Sequence, residues 1–132
     1  MVQRSRCWRQ AGASWLGVAT VAEAIALRAG GDTGNVLCWL ASPGADFAAA
    51  IDADIEVTAS SAEQLAEILA TGAPTAVRPK VQLKVDTGLG RNGAFGEQWT
   101  VLVADAAAAQ SAGSVEITGM GSHFACADEA RL

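Results

Sequence analysis

Tyrosine is absent from this 132-residue chain, and histidine occurs once, at His123. No phenol can therefore act as an acid or base from this chain or from a second copy of it. A single histidine leaves a zinc site short of its usual nitrogen ligands, so no metal centre is expected. The three cysteines, Cys7, Cys38 and Cys126, are odd in number and far apart. They make no CxxC pair and no disulfide framework, which fits a reducing, cytoplasmic compartment. No apolar run reaches the ~18 residues of a membrane span. The first ten residues carry Arg4, Arg6 and Arg9 with no apolar stretch behind them, and do not read as a signal peptide. Lys and Arg number 9 against 14 Asp and Glu, for a net charge of −5, so the basic face that nucleic acid requires is missing.

What is present points to a packed domain. Hydrophobic residues make up 51% of the chain and charged residues 17%, enough for one core at this length. Short apolar runs alternate with helical patterns. Trp15–Ala19 reads as a strand. Thr20 and Glu23 then stand at capping-box spacing and open a helix to about Arg28, closed by Gly30 and Gly31. Val36–Leu40 is a second strand, followed by a Ser42-Pro43-Gly44 turn and a short alanine-rich helix around Phe47. Ile55–Thr58 is a third. Ser60 and Glu63 repeat the capping spacing, and Leu65, Ile68 and Leu69 share a helical face that ends at Gly72 and Pro74. Val81–Val85 is a fourth strand. A glycine-rich loop spans 86–96, a helix runs from about Glu97 to Gln110, and Val115–Thr118 opens a fifth strand toward His123. Strand–helix alternation with short connections implies an α/β fold: a parallel sheet covered by helices.

The fourth strand departs from the pattern. Strands of parallel sheets are usually apolar on both faces. Here Val81, Leu83 and Val85 share one face, while Gln82, Lys84 and Asp86 share the other. A polar face on a central strand is costly unless its groups are paired. It suits a barrel interior where chemistry occurs, an edge strand with a solvated face, or a mixed ion pair. The loop that follows reads Gly88-Leu89-Gly90-Arg91-Asn92-Gly93, a literal GxGxxG. A dinucleotide site needs a helix opening inside that loop. Here the helix pattern starts only after Gly96, so a small dinucleotide-binding domain is the weaker alternative. An arginine held toward an anion suits the loop better, since its fork matches carboxylate or phosphate oxygens. A solvated arginine in a turn also fits. His123, taken alone, fits a satisfied core residue as well as a ligand.

Three blocks carry a resemblance. They are Lys84-Val85-Asp86-Thr87-Gly88-Leu89-Gly90-Arg91-Asn92-Gly93, Ser122-His123-Phe124-Ala125-Cys126-Ala127-Asp128-Glu129, and Gly12 to Thr20 with Glu23-Ala24 following. In order and spacing they resemble the bacterial alanine racemase family, over nearly all of residues 11 to 129. The resemblance implies a partial (β/α)8 TIM barrel, about strands two to six, within a pyridoxal-phosphate enzyme that interconverts L- and D-alanine for peptidoglycan. It implies a homodimer with alanine as small-molecule substrate, and neither nucleic acid nor membrane as partner. On this reading residues 11–132 form part of the barrel domain, residues 1–10 are unlike the family, and the family's C-terminal β domain is not represented. An upstream frameshift or misread start would account for the first ten residues.

The matching residues then take roles. Arg91 resembles the arginine that orients the cofactor's phenolic oxygen and the substrate carboxylate. Lys84 resembles a lysine carbamylated in some members, whose anion holds that arginine; an unmodified lysine beside a buried arginine would be a repulsive pair. His123 resembles a histidine in the hydrogen-bond network around the cofactor ring and the tyrosine base. Cys126 reads as a small packing residue. Gly121 stands where many members carry a larger aromatic, which puts the packing under His123 in question. The family's two bases, a lysine that also binds the cofactor covalently and a partner-subunit tyrosine, have no counterparts here. The only lysines are Lys80 and Lys84. The chain by itself is thus expected to be inactive, and its open sheet edges to make it poorly soluble or loosely packed. A non-enzymatic half-barrel that pairs with a complementary chain is the other alternative.

Overall fold

Residues 2–72 and 77–129 are described by the structure, a computed structural model. Among the described residues five helices and five strands alternate: α1 (Val2–Gln10), β1 (Trp15–Val18), α2 (Val21–Ala29), β2 (Asn35–Cys38), α3 (Phe47–Asp52), β3 (Glu56–Ala59), α4 (Ala62–Gly72), β4 (Lys80–Lys84), α5 (Glu97–Ser111) and β5 (Glu116–Gly121). The strands form one sheet in sequence order, every neighbour parallel. A helix follows each of the first four strands, so each crossover returns to the same sheet one strand further on. This is the wall of a (β/α) barrel. The strand order nowhere reverses, and a dinucleotide crevice in an open sheet lies where it does.

The helices begin and pack as their residues dictate. Thr20 caps α2 with both reciprocal bonds of the capping box, to Glu23 and back. Val21, Ala24 and Leu27 then bury one face of that helix. At α4 the cap lies one residue later than the Ser60/Glu63 spacing suggests. Ser61 Oγ accepts from Gln64 N at 3.2 Å, and Gln64 Oε1 accepts from Ser60 N at 2.8 Å. Gln64 is buried and also donates to Ala41 O, so its amide serves both the cap and a loop. The α4 helix closes at Gly72, where a Cβ would stand 2.5 Å from Pro79. Pro74, part of the expected stop, lies outside the described residues.

Residues 2–10, with no structure expected from the pattern, form helix α1. Arg9 fastens it: its guanidinium donates to both carboxylate oxygens of Asp32, at 3.1 and 2.9 Å, and to Ala13 O and Asn35 O. That pair holds the Asp32 carboxyl below the usual carboxylate range.

The sheet has two unlike faces. Leu16, Val18, Val36, Cys38, Val57, Ala59, Val81 and Leu83 pack against the helices as the core. The other face carries Leu37, Trp39, Thr58, Gln82 and Lys84 around a common hollow. The polar face of the fourth strand is therefore a barrel interior, and the edge-strand reading fails because β4 is paired on both sides.

Candidate active site

Lys84 ends β4 and is 4% exposed. Its ammonium donates to Trp39 O at 3.2 Å and lies 5.0 Å from the centre of the Trp39 ring. Among the described residues no carboxylate pairs with it. Burial, and then the positive field of Arg91, hold the Lys84 amine below its ordinary value. Two causes that both oppose protonation act on one nitrogen, and the nearest compensation is a carbonyl and a ring face.

His123 stands two residues beyond β5. Its ring stacks on Trp39 with centroids 5.3 Å apart and planes 29° from parallel. Trp39 thus carries Lys84 and His123 together, and supplies the packing that Gly121 does not. Lys84, Trp39, His123 and Thr58 share a cavity of ≈ 240 Å³ at the carboxyl ends of the strands, where barrel enzymes place their chemistry. The Thr58 hydroxyl is buried there with no partner. A larger hollow of ≈ 470 Å³ between the starts of α2 and α3 has Asp46 as its one charged lining residue and lies away from this cluster.

Arg91 is placed differently. It is exposed, outside the cavity's lining, and felt by Lys84 through its charge. The buried arginine expected from the resemblance is not what the structure has. Its loop is braced rather than slack. The Asp86 carboxylate accepts from Gly88 N at 2.9 Å and Gly90 N at 3.1 Å, which lowers its own pKa. Ala94 N returns to Lys84 O at 2.9 Å, and Asn92 Nδ2 donates to Ser60 Oγ. Gly93 has φ +119°, and a Cβ there would stand 2.7 Å from the Val85 carbonyl carbon, so only glycine fits. Arg91 therefore leaves a fixed base, and among the described residues its guanidinium has no ion-pair partner.

The cysteines and the second lysine lie apart from this cluster, and Cys126, read as a packing residue, is not among the core residues. Cys38 is packed in the core, and burial pushes its thiol up to about 11. Cys126 is half-buried. Lys80 sits at the opposite end of β4 and pairs with Asp54 at 2.7 Å. No group of metal-ligating side chains occurs among the described residues. Trp39, the residue that organises the site, went unremarked in the sequence because it sits inside an apolar run. Its signal was the alternation Leu37–Trp39, on the same face as Gln82 and Lys84.

Comparison with known proteins agrees. The profile described as "Alanine racemase, N-terminal domain" matches residues 1–131. The chain belongs to the alanine racemase N-terminal domain family. The match takes in the first ten residues, which had been set apart. An alanine racemase of Frankia casuarinae is 47% identical over 128 residues, 97% of this chain and 33% of that protein. The alanine racemase structure from D-cycloserine-producing Streptomyces lavendulae superposes with a TM-score of 0.95 at 46% identity, over 99% of this chain and 34% of that one. The Bacillus anthracis alanine racemase with bound L-Ala-P gives 0.84 at 28% identity, over 98% of this chain and 33% of that one. The chain thus spans about a third of the length of the relatives it matches.

Proposed function

We propose that this chain is the central barrel segment of an alanine racemase and supplies one wall of its pyridoxal-phosphate site. The observation that carries this is the convergence of Lys84 and His123 on Trp39, at the strand ends, with Arg91 on a braced loop above.

These residues fit part of the cofactor. The His123 ring, backed by Trp39, offers a flat wall with a nitrogen to hydrogen-bond, and Arg91 offers a fork for an oxygen anion. The covalent anchor has no fit here: Lys84 is engaged with Trp39, and Lys80 lies at the other end of β4 on Asp54. Pyridoxal phosphate would supply a sink for the electron pair left when the α-proton leaves alanine. Arg91 would hold the cofactor's phenolic oxygen and orient the substrate carboxylate. His123 would hold the ring. Lys84, its proton weakly held, adds to carbon dioxide through its neutral amine and releases one proton. The resulting carbamate puts an anion where a cation faced Arg91, and so draws the guanidinium inward. Each cause of the lowered Lys84 pKa favours that neutral amine.

The two proton-transferring bases come from outside these 132 residues, since no tyrosine is present and neither lysine is free at the site. Removing one positioned base typically costs ~10²–10⁴ in rate, so the chain alone does not racemise alanine. The test is a chimera: residues 11–129 replace the matching third of the Streptomyces lavendulae racemase. With pyridoxal phosphate it converts L- to D-alanine, while the 132-residue chain does not. A folded chimera that binds the cofactor yet leaves alanine unchanged contradicts the reading.

A further inference from the structure

We propose that Glu56 is a positioning residue: it clamps a bulge in β5 and thereby turns His123 into the barrel interior. The register between β4 and β5 carries the argument. Val81 pairs with Ile117, but Gln82 pairs with Gly119, so Thr118 is an extra residue in β5. Side chains alternate along a strand, and one extra residue reverses every facing beyond it. After the bulge Gly119 pairs with Gln82 and Gly121 with Lys84, both on the interior face. A Cβ on Gly119 would lie 3.7 Å from the Gln82 side chain, which confirms its facing. Two residues further on comes His123, on the same face and against Trp39. Without the bulge, Met120 and Ser122 would follow Thr118 onto the interior face, and His123 would point to the helices.

A bulge that decides so much needs a reason to stay at Thr118. Glu56 supplies it. The residue is 8% exposed, on β3 and two strands from β5. One oxygen, Oε2, accepts from Gln82 Nε2 at 3.1 Å and from Thr118 Oγ1 at 2.8 Å. The same hydroxyl reaches Val81 O at 3.5 Å, the last carbonyl before the register shifts. A buried carboxyl group with two donors on one oxygen is a demanding acceptor. Moving the bulge by one residue would replace the Thr118 hydroxyl with Ile117 or Gly119, neither of which can donate from a side chain. The clamp therefore selects this phase over its neighbours.

That His123 serves a cofactor rests on the proposed function; its facing does not, and it is measurable without cofactor or turnover. His123 is the only histidine, so its ring protons give unambiguous NMR resonances in the 132-residue chain. Stacked on Trp39, they lie upfield, and Trp39→Leu marks the unstacked position. Thr118→Val keeps the side-chain shape and removes the donor; Glu56→Met removes the acceptors. Both are expected to move His123 to the Trp39→Leu position while the amide resonances of β1, α2 and β2 stay in place. Thr118→Ser and Glu56→Gln, which keep a hydroxyl and an acceptor, retain the wild-type shift. If Glu56→Met unfolds, the Thr118 pair still decides, because Thr118 is exposed and its valine fits. An upfield His123 that persists in Thr118→Val overturns the proposal, as does a wild-type His123 already at the unstacked position. An inactive chimera would leave this result untouched.

Discussion

Lys84 carries a charge that its surroundings oppose. It is buried, faces the field of Arg91, and has one carbonyl and one ring face as compensation. Replacing it with methionine keeps the length and removes the buried charge. Lys84→Met is expected to raise unfolding stability at neutral pH by on the order of 1 kcal/mol, read as a higher urea midpoint. The pH dependence has a definite sign. The folded amine titrates below 10.5, its ordinary value, so between the two values the unfolded chain holds more protons. Stability then rises with pH in that window, and the rise disappears in Lys84→Met. The difference between the two curves isolates the effect. Cys38, pushed from 9.0 up to about 11, loses stability as pH rises between those two values, and does so in both proteins. A Lys84→Met chain less stable than wild type at pH 7 would show that the Trp39 contacts outweigh the burial cost. At this scale the sequence was informative. The alternation Gln82–Lys84–Asp86 marked a polar face without deciding between a barrel interior and a solvated edge, and the loop pattern singled out Arg91. Trp39, Thr58 and Glu56 were not visible, because their meaning depends on residues far along the chain: Glu56 on Thr118, Trp39 on His123.

Elements repeat the lesson. Boundaries set by local chemistry were legible: Thr20 and Glu23 opened α2 as expected, and the alanine-rich stretch after Glu97 formed α5. Boundaries set by distant partners were not. The α1 helix has no apolar stripe to announce it and is held by Arg9 on Asp32, 23 residues away. The β5 strand continues past Thr118 because the bulge lets it pair onward to Gly121. Arg28 is a further tie of this kind. From α2 it donates to Ala53 O, Gly34 O and Asp54 O, each at 2.8 Å, and to Asp32 O at 3.1 Å, joining the loops before β2 and β3. Truncation would leave those carbonyls to water and the two loops untied. Arg28→Ala is expected to cost about 2–3 kcal/mol in denaturant unfolding. A cost below about 0.5 kcal/mol would mean that the loops are held by their own turns.

For the molecule as a whole, the fold class followed from strand–helix alternation, but alternation alone does not separate an open sheet from a barrel wall. The sequential strand order decides it, together with the polar inner face. Among the described residues β1 and β5 are each paired on one side only, and Trp15, Met120 and Phe124 stand 44%, 71% and 69% exposed on or beside them. Those are the places where the remaining strands of a barrel would close. The proposed site is partial in the same sense: a wall with an exposed arginine on a braced loop, a ring-backed histidine and a buried lysine that no carboxylate pairs with among the described residues.

The most direct measurement of that claim is kcat/KM for L-alanine in the chimera, with Arg91 and with Arg91→Ala. If Arg91 meets charge that develops in the reaction, the loss is about 10²–10³-fold. Pyridoxal phosphate should still bind, since the covalent anchor lies elsewhere. An Arg91→Ala chimera within a few-fold of its parent would contradict the account, leaving Arg91 a solvated turn residue.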